Sequence, residues 1–73
     1  MENIKKEFGF KAFANSKIVL KNGAILYVED PIETIEERMK DKNKTIHLTV
    51  AAIVRDVFRI IEKESIARFV KVI

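Results

Sequence analysis

A chain of 73 residues, 48% hydrophobic and 34% charged, has material for one hydrophobic core, so a single domain over residues 1–73 is expected and a disordered chain is excluded. The absence of cysteine excludes disulfides and thiolate metal sites, and a body this small then finds extra stability most simply by joining a copy of itself. The net charge of +3 is interspersed in sign and gives only a mild pull towards polyanions; no apolar run reaches the roughly 20 residues of a membrane helix, so no membrane association and a cytoplasmic location are expected.

Residues 1–16 interleave Ile4, Phe8, Phe10 and Phe13 with Lys5, Lys6, Glu7 and Lys11. The alternation of Phe8 and Phe10 predicts a short strand near Phe8–Phe13 whose rings dock on a neighbouring face. The stretch Lys17–Glu29 predicts a β-hairpin turning at Asn22-Gly23, because a two-residue type I′ turn needs positive φ at both central positions and these residues tolerate it best. That turn sets Lys21 opposite Ala24, Leu20 opposite Ile25, Val19 opposite Leu26 and Ile18 opposite Tyr27. One face then carries Ile18, Leu20, Ile25 and Tyr27, the other Val19, Ala24, Leu26 and Val28. A ribbon apolar front and back must be covered on both sides, and the rest of the chain offers little cover.

Asp30-Pro31-Ile32-Glu33 predicts a helix start, with Asp30 capping the Glu33 amide and Pro31 at the first helical position. The helix runs from Pro31 to about Lys40, burying Ile32, Ile35 and Met39, with acid at its start, base at its end and Glu36 paired to Lys40. Thr45–Val50 alternates as a strand with one wet face. Val50, Ile53, Val54, Val57, Phe58 and Ile61 then follow helical spacing, which predicts a second helix over Ala51–Lys63, and Ser65–Ile73 is β-branched enough for a final strand.

The expected fold class is α+β, a mostly antiparallel sheet of four or five strands with two helices on one face. The alternative is a small all-β barrel with one helix, in which Val54–Ile61 is a strand joined to Ile66–Ile73 by a turn at Glu62–Ser65. Asp56 argues against that alternative, since it would fall among apolar residues of one face.

No catalytic set emerges. His47 is the only histidine, Ser16 and Ser65 lie in no nucleophile elbow, and Gly9 and Gly23 stand alone rather than in a phosphate loop. Glu29, Asp30, Glu33, Glu36 and Glu37 are explained by capping and the helix dipole. No metal, no cofactor and no enzymatic activity are expected. Lys6-Glu7-Phe8-Gly9-Phe10-Lys11-Ala12-Phe13 resembles the RNP1 signature of RNA-recognition motifs and the aromatic strand of cold-shock domains. Glu7 replaces its glycine and Lys11 its valine, and the first preceding strand and helix of an RNA-recognition motif are missing. The resemblance implies base stacking on Phe8 and Phe10 with phosphate contacts from Lys5, Lys6 and Lys11. Arg55, Arg59 and Lys63 would extend it as an i, i+4, i+8 stripe on the second helix. Leu20, Asn22-Gly23, Tyr27-Val28, Ile32–Glu37, Ile46 and Leu48 are similar to the hairpin, link and strand of small flagellar-operon proteins of the swarming-motility type, which implies that local order of elements and no function.

The expected function is a small regulatory or inhibitory binding protein, a homodimer that also contacts another protein through Tyr27, Phe69, Val72 and Ile73, with Arg55 and Arg59 as rim charges. Nucleic-acid binding is the alternative.

Overall fold

A computed structural model describes residues 6–72, a mixed α+β fold with one helix and six strands in two sheets, neither closed into a barrel. In chain order these are β1 (Glu7–Phe8), β2 (Ser16–Leu20), β3 (Ile25–Val28), α1 (Ile32–Lys40), β4 (Thr45–Thr49), β5 (Phe58–Glu62) and β6 (Ile66–Lys71), with short 3₁₀ turns at Lys11–Phe13 and Lys63–Ser65. The first sheet has the order β1-β3-β2-β6, antiparallel except for the parallel pair β1–β3, and the second is the antiparallel hairpin β4–β5. A single bridge between Val28 and Val50 joins them, reinforced by the Glu29 N–H donating to the Thr49 carbonyl at 2.8 Å.

The hairpin forms where expected, but its register differs by one residue. Ile18 lies opposite Leu26, Val19 opposite Ile25 and Lys17 opposite Tyr27. The reason is the turn. Leu20 accepts from the Gly23 N–H and donates to Ala24, each at 2.9 Å; only Gly23, at φ 92°, is left-handed in the loop, and the Asn22 carboxamide caps the Ala24 N–H. This is a three-residue loop, a first turn closed by a left-handed glycine, in place of a type I′ pair. One added loop residue re-sorts the faces. Ser16, Ile18, Leu26 and Val28 now point together into the core, and Val19, Ile25 and Tyr27 share the other side.

The second predicted helix is absent. Residues 51–57 are loop and 58–62 are β5, paired with β4 from Thr49–Phe58 to Thr45–Glu62. Ile53, Val54, Val57, Ile60 and Ile61 are β-branched, so each loses side-chain freedom in a helix and packs well on a pleated sheet. Asp56 stands at φ 61°, a left-handed conformation that Asp tolerates better than most residues, and makes the bend that brings β5 back along β4. The residue that argued against a strand is therefore the residue that permits one. With one helix instead of two, only α1 covers the sheets, through Ile35 and Met39. The 3₁₀ turn at Lys63–Ser65 carries the chain from the second sheet to the first, as in the all-β alternative, but β5 and β6 do not pair and no barrel closes.

The expected strand at Phe8–Phe13 is also shorter. It pairs only at Glu7 and Phe8, breaks at Gly9 (φ 90°) and ends in the 3₁₀ turn. The helix α1 ends at Lys40 as expected and starts one residue later than expected, at Ile32. Asp30 does not cap it. Its carboxylate accepts instead from the Arg38 guanidinium and the Thr49 N–H, both at 2.7 Å. Among the described residues the ion pairs are Arg38–Asp30 and Lys63–Asp41, and Glu36 with Lys40 is not among them.

The main core joins both sheets and the helix through Ile18, Leu26, Val28, Ile35, Ile46, Leu48, Val50 and Ile66. A second, smaller cluster of Ala14, Tyr27 and Ala51, with Ile25 and Val72 against it, covers the other side of β3. The ribbon is thus covered on both faces by its own chain at Leu26, Tyr27 and Val28, and the surplus apolar surface lies elsewhere.

Candidate binding surface

The surplus is concentrated at one end, where the loop around Gly9 meets the loop 51–57. The Phe10 N–H donates to the Ala51 carbonyl at 2.7 Å, and the Phe10 and Phe13 rings stand edge to face, 6.0 Å apart. From the facing loop Ile53 and Val54 project 75% and 67% exposed. Nothing in the described chain covers them, although the Val50 N–H to Val57 carbonyl bond at 2.7 Å closes the loop at its base. Phe58 follows on β5, exposed, with His47 edge-on to it at 5.1 Å. The Arg59 guanidinium lies 5.6 Å from the centroid of the Phe8 ring, a cation–π contact that fixes both side chains.

Lys6, Lys11, Arg55 and Arg59 are all exposed in these segments, against Glu7 and Asp56, so the rim is basic. The expected stripe of Arg55, Arg59 and Lys63 does not exist. Without a helix Arg55 sits in the loop and Arg59 turns to Phe8, while Lys63 donates to the Asp41 carboxylate at 2.7 Å. That bond, then the Asn43 amide, holds the Asp41 carboxyl below its ordinary value. A carboxyl depressed in the folded state stabilises fully above its unfolded value and loses that contribution as pH falls through the folded one. A small drop in melting temperature below about pH 4 is therefore expected, and Asp41→Asn should remove that part of the pH dependence; because Asp41 is exposed, the effect is modest.

Of the residues expected to form a contact surface, Tyr27 is buried in the second cluster, Phe69 packs half-buried on the main core and Val72 on the second. These three therefore face inward. Ile73 lies outside the described residues, as does Lys5 from the basic and aromatic set, whereas Phe8, Phe10, Lys6 and Lys11 are exposed as that reading requires. The RNP1-like run does not form the continuous strand that its resemblance implies, because Gly9 breaks it. Ile53, Val54, Phe13, Phe58 and Ile60 were not foreseen. The helical spacing of Ile53, Val54 and Phe58 suggested an inner face and Phe13 was expected to dock on the hairpin, yet the run 50–61 holds more apolar side chains than one strand can turn inward.

No group of three or more His, Cys, Asp or Glu side chains able to hold a metal occurs among the described residues, and no helix there is long and apolar enough to cross a membrane. Comparison with protein-family models, curated proteins and solved structures finds no match to this chain, so neither resemblance gains a family.

Proposed function

We propose that this chain is a non-enzymatic regulatory or inhibitory module that acts by binding another protein through its apolar end. The reading is carried by one observation: Ile53 and Val54 stand exposed in a short loop beside Phe10 and Phe13, where a folded chain gains nothing by displaying them. The basic rim selects a partner segment that pairs apolar anchors with acidic flanks, since rim charges set orientation and on-rate while the buried anchors supply affinity. Affinity capture from the native cell, comparing the wild type with an Ile53→Glu/Val54→Glu variant, tests it. The variant leaves both cores untouched, so it should fold normally and lose a specific partner by tenfold or more. Equal capture by both would overturn the reading.

A second reading, single-stranded nucleic acid, is supported by Arg59 over Phe8 with Lys6, Phe10 and Lys11 nearby in the same segments. Titration with a mixed oligonucleotide pool at two salt concentrations separates the two. Phosphate contacts must weaken steeply with salt, whereas an apolar protein interface is far less sensitive.

A further inference from the structure

Among the described residues β5 has β4 as its only strand neighbour, and its other edge is open. Which peptide groups that edge presents follows from the ladder. Val50 donates to Val57 at 2.7 Å and Lys63 donates to Lys44 at 2.8 Å, so the odd-numbered residues Val57, Arg59, Ile61 and Lys63 turn their N–H and C=O groups towards β4. Phe58, Ile60 and Glu62 turn theirs outward. The strand contains neither a proline nor a bulge, the usual devices that blunt an edge, and Ile60 is 70% exposed on the outer face beside Phe58. A groove of about 660 Å³ between this strand and the Leu20–Asn22 turn leaves room beside it.

We infer that this edge pairs antiparallel with β5 of a second copy, with Ile60 on the two-fold axis. A two-fold perpendicular to the sheet keeps each side chain on its own face, so the axis must pass through a residue. Three registers near the strand centre are available. Centring on Arg59 sets Arg59 against its own copy, and centring on Ile61 sets Arg59 against Lys63 of the copy; both oppose like charges. Centring on Ile60 sets Ile60 against Ile60, Phe58 against Glu62, Arg59 against Ile61 and Val57 against Lys63, so no like charges are opposed along the 57–63 ladder. In that register the outward peptide groups of Phe58, Ile60 and Glu62 all find partners. A four-stranded sheet results, in the order β4-β5-β5-β4, whose outer face carries a continuous stripe of Phe58 and Ile60 from both copies. The edge is self-complementary, which singles out a second copy over an unrelated strand. The surface is distinct from the loop at Ile53 and Val54, so this inference does not rest on the partner-binding reading.

Sedimentation velocity of the full chain over a micromolar to millimolar range tests it. The expected result is concentration-dependent conversion from 8.5 kDa to twice that mass. Ile60→Lys, which puts two ammonium groups at the axis, should weaken self-association at least tenfold, and so should Ile60→Glu. Mixing those two variants should restore it as a heterodimer, a rescue that misfolding cannot produce. The Ile53→Glu/Val54→Glu variant should dimerise like the wild type. A chain that stays at 8.5 kDa throughout, an Ile60→Lys variant that dimerises normally, or a mixture that fails to rescue would each overturn the inference.

Discussion

Gly9→Ala should cost this fold about 2–5 kcal/mol, whereas Gly23→Ala should cost about 1 kcal/mol, although both glycines have nearly the same φ. The difference lies in what a Cβ would meet. At Gly23, in the exposed hairpin loop, it meets nothing within 4 Å, so only the left-handed backbone is penalised. At Gly9 it would stand 2.7 Å from the Tyr27 carbonyl oxygen and 3.0 Å from that of Ala51. Neither oxygen is free to withdraw. The Tyr27 carbonyl accepts from the Ala51 N–H at 2.9 Å and the Ala51 carbonyl accepts from the Phe10 N–H at 2.7 Å. Yielding would break the seam that holds the Gly9 loop to β3 and to the loop 51–57. Urea unfolding of both variants measures the difference. Equal losses would show that Gly9 is needed for its φ alone, and the close approach would be discounted. The same seam carries Phe8 and Phe10 to their exposed positions, so under the proposed function a Gly9→Ala chain that still folds should also bind a partner less tightly.

This arrangement explains which parts of the molecule were legible in the residues alone. Elements whose signal is local came through: the hairpin around Asn22, the helix over 32–40 with Ile35 inward, and β4 with Ile46 and Leu48 inward and His47 outward. Two failures have separate origins, and the first is that spacing reports a period without its cause. Val50, Ile53, Val54, Val57, Phe58 and Ile61 sit at helical intervals by the accident of a loop followed by a strand, and the β-branched chemistry of the run was the better guide. The hairpin register failed because Asn-Gly serves both a two-residue and a three-residue loop, and the choice depends on the pairing of Leu20 with Ala24 and on Lys21 donating to the Ser65 carbonyl at 2.8 Å, a contact from the far end of the chain. Once the register moved by one, Tyr27 left the face of Ile18, and the second cluster of Ala14 and Ala51 buries it on the other side, so it offers no contact surface. The hairpin that was expected to need cover is covered by its own chain, and the exposed apolar side chains lie in the loop 51–57 and on β5 instead.

Asp30→Ala is expected to remove about 2–4 kcal/mol, a large share of the roughly 5 kcal/mol that a domain of this size commonly holds. Asp30 is only 7% exposed, and it sits where three pieces of the fold meet. One carboxylate oxygen accepts from the Thr49 N–H at 2.7 Å, fixing the end of β4, and the other accepts from Arg38 at 2.7 Å, fixing α1. Its own carbonyl accepts from the buried Ser16 hydroxyl at 2.7 Å, which ties in β2. Arg38 reaches on to the His47 carbonyl at 2.6 Å, so one guanidinium binds the helix to the strand and to the aspartate together. Removing the carboxylate leaves the Thr49 N–H without its acceptor, and that orphaned donor sets most of the loss; Arg38, partly exposed, recovers water. Asp30→Asn separates the two roles, since a carboxamide keeps one acceptor for Thr49 and presents no charge to Arg38. It should cost about half as much. Arg38→Ala leaves Thr49 satisfied, so a double-mutant cycle between the two positions isolates the ion pair from the backbone cap. Thermal unfolding gives the totals, and amide hydrogen exchange at Thr49 locates them: exchange there should accelerate strongly in Asp30→Ala and little in Arg38→Ala. If Thr49 exchanges alike in both, the carboxylate holds the helix and not the strand, and the junction between the two sheets must rest on the Val28–Val50 bridge instead.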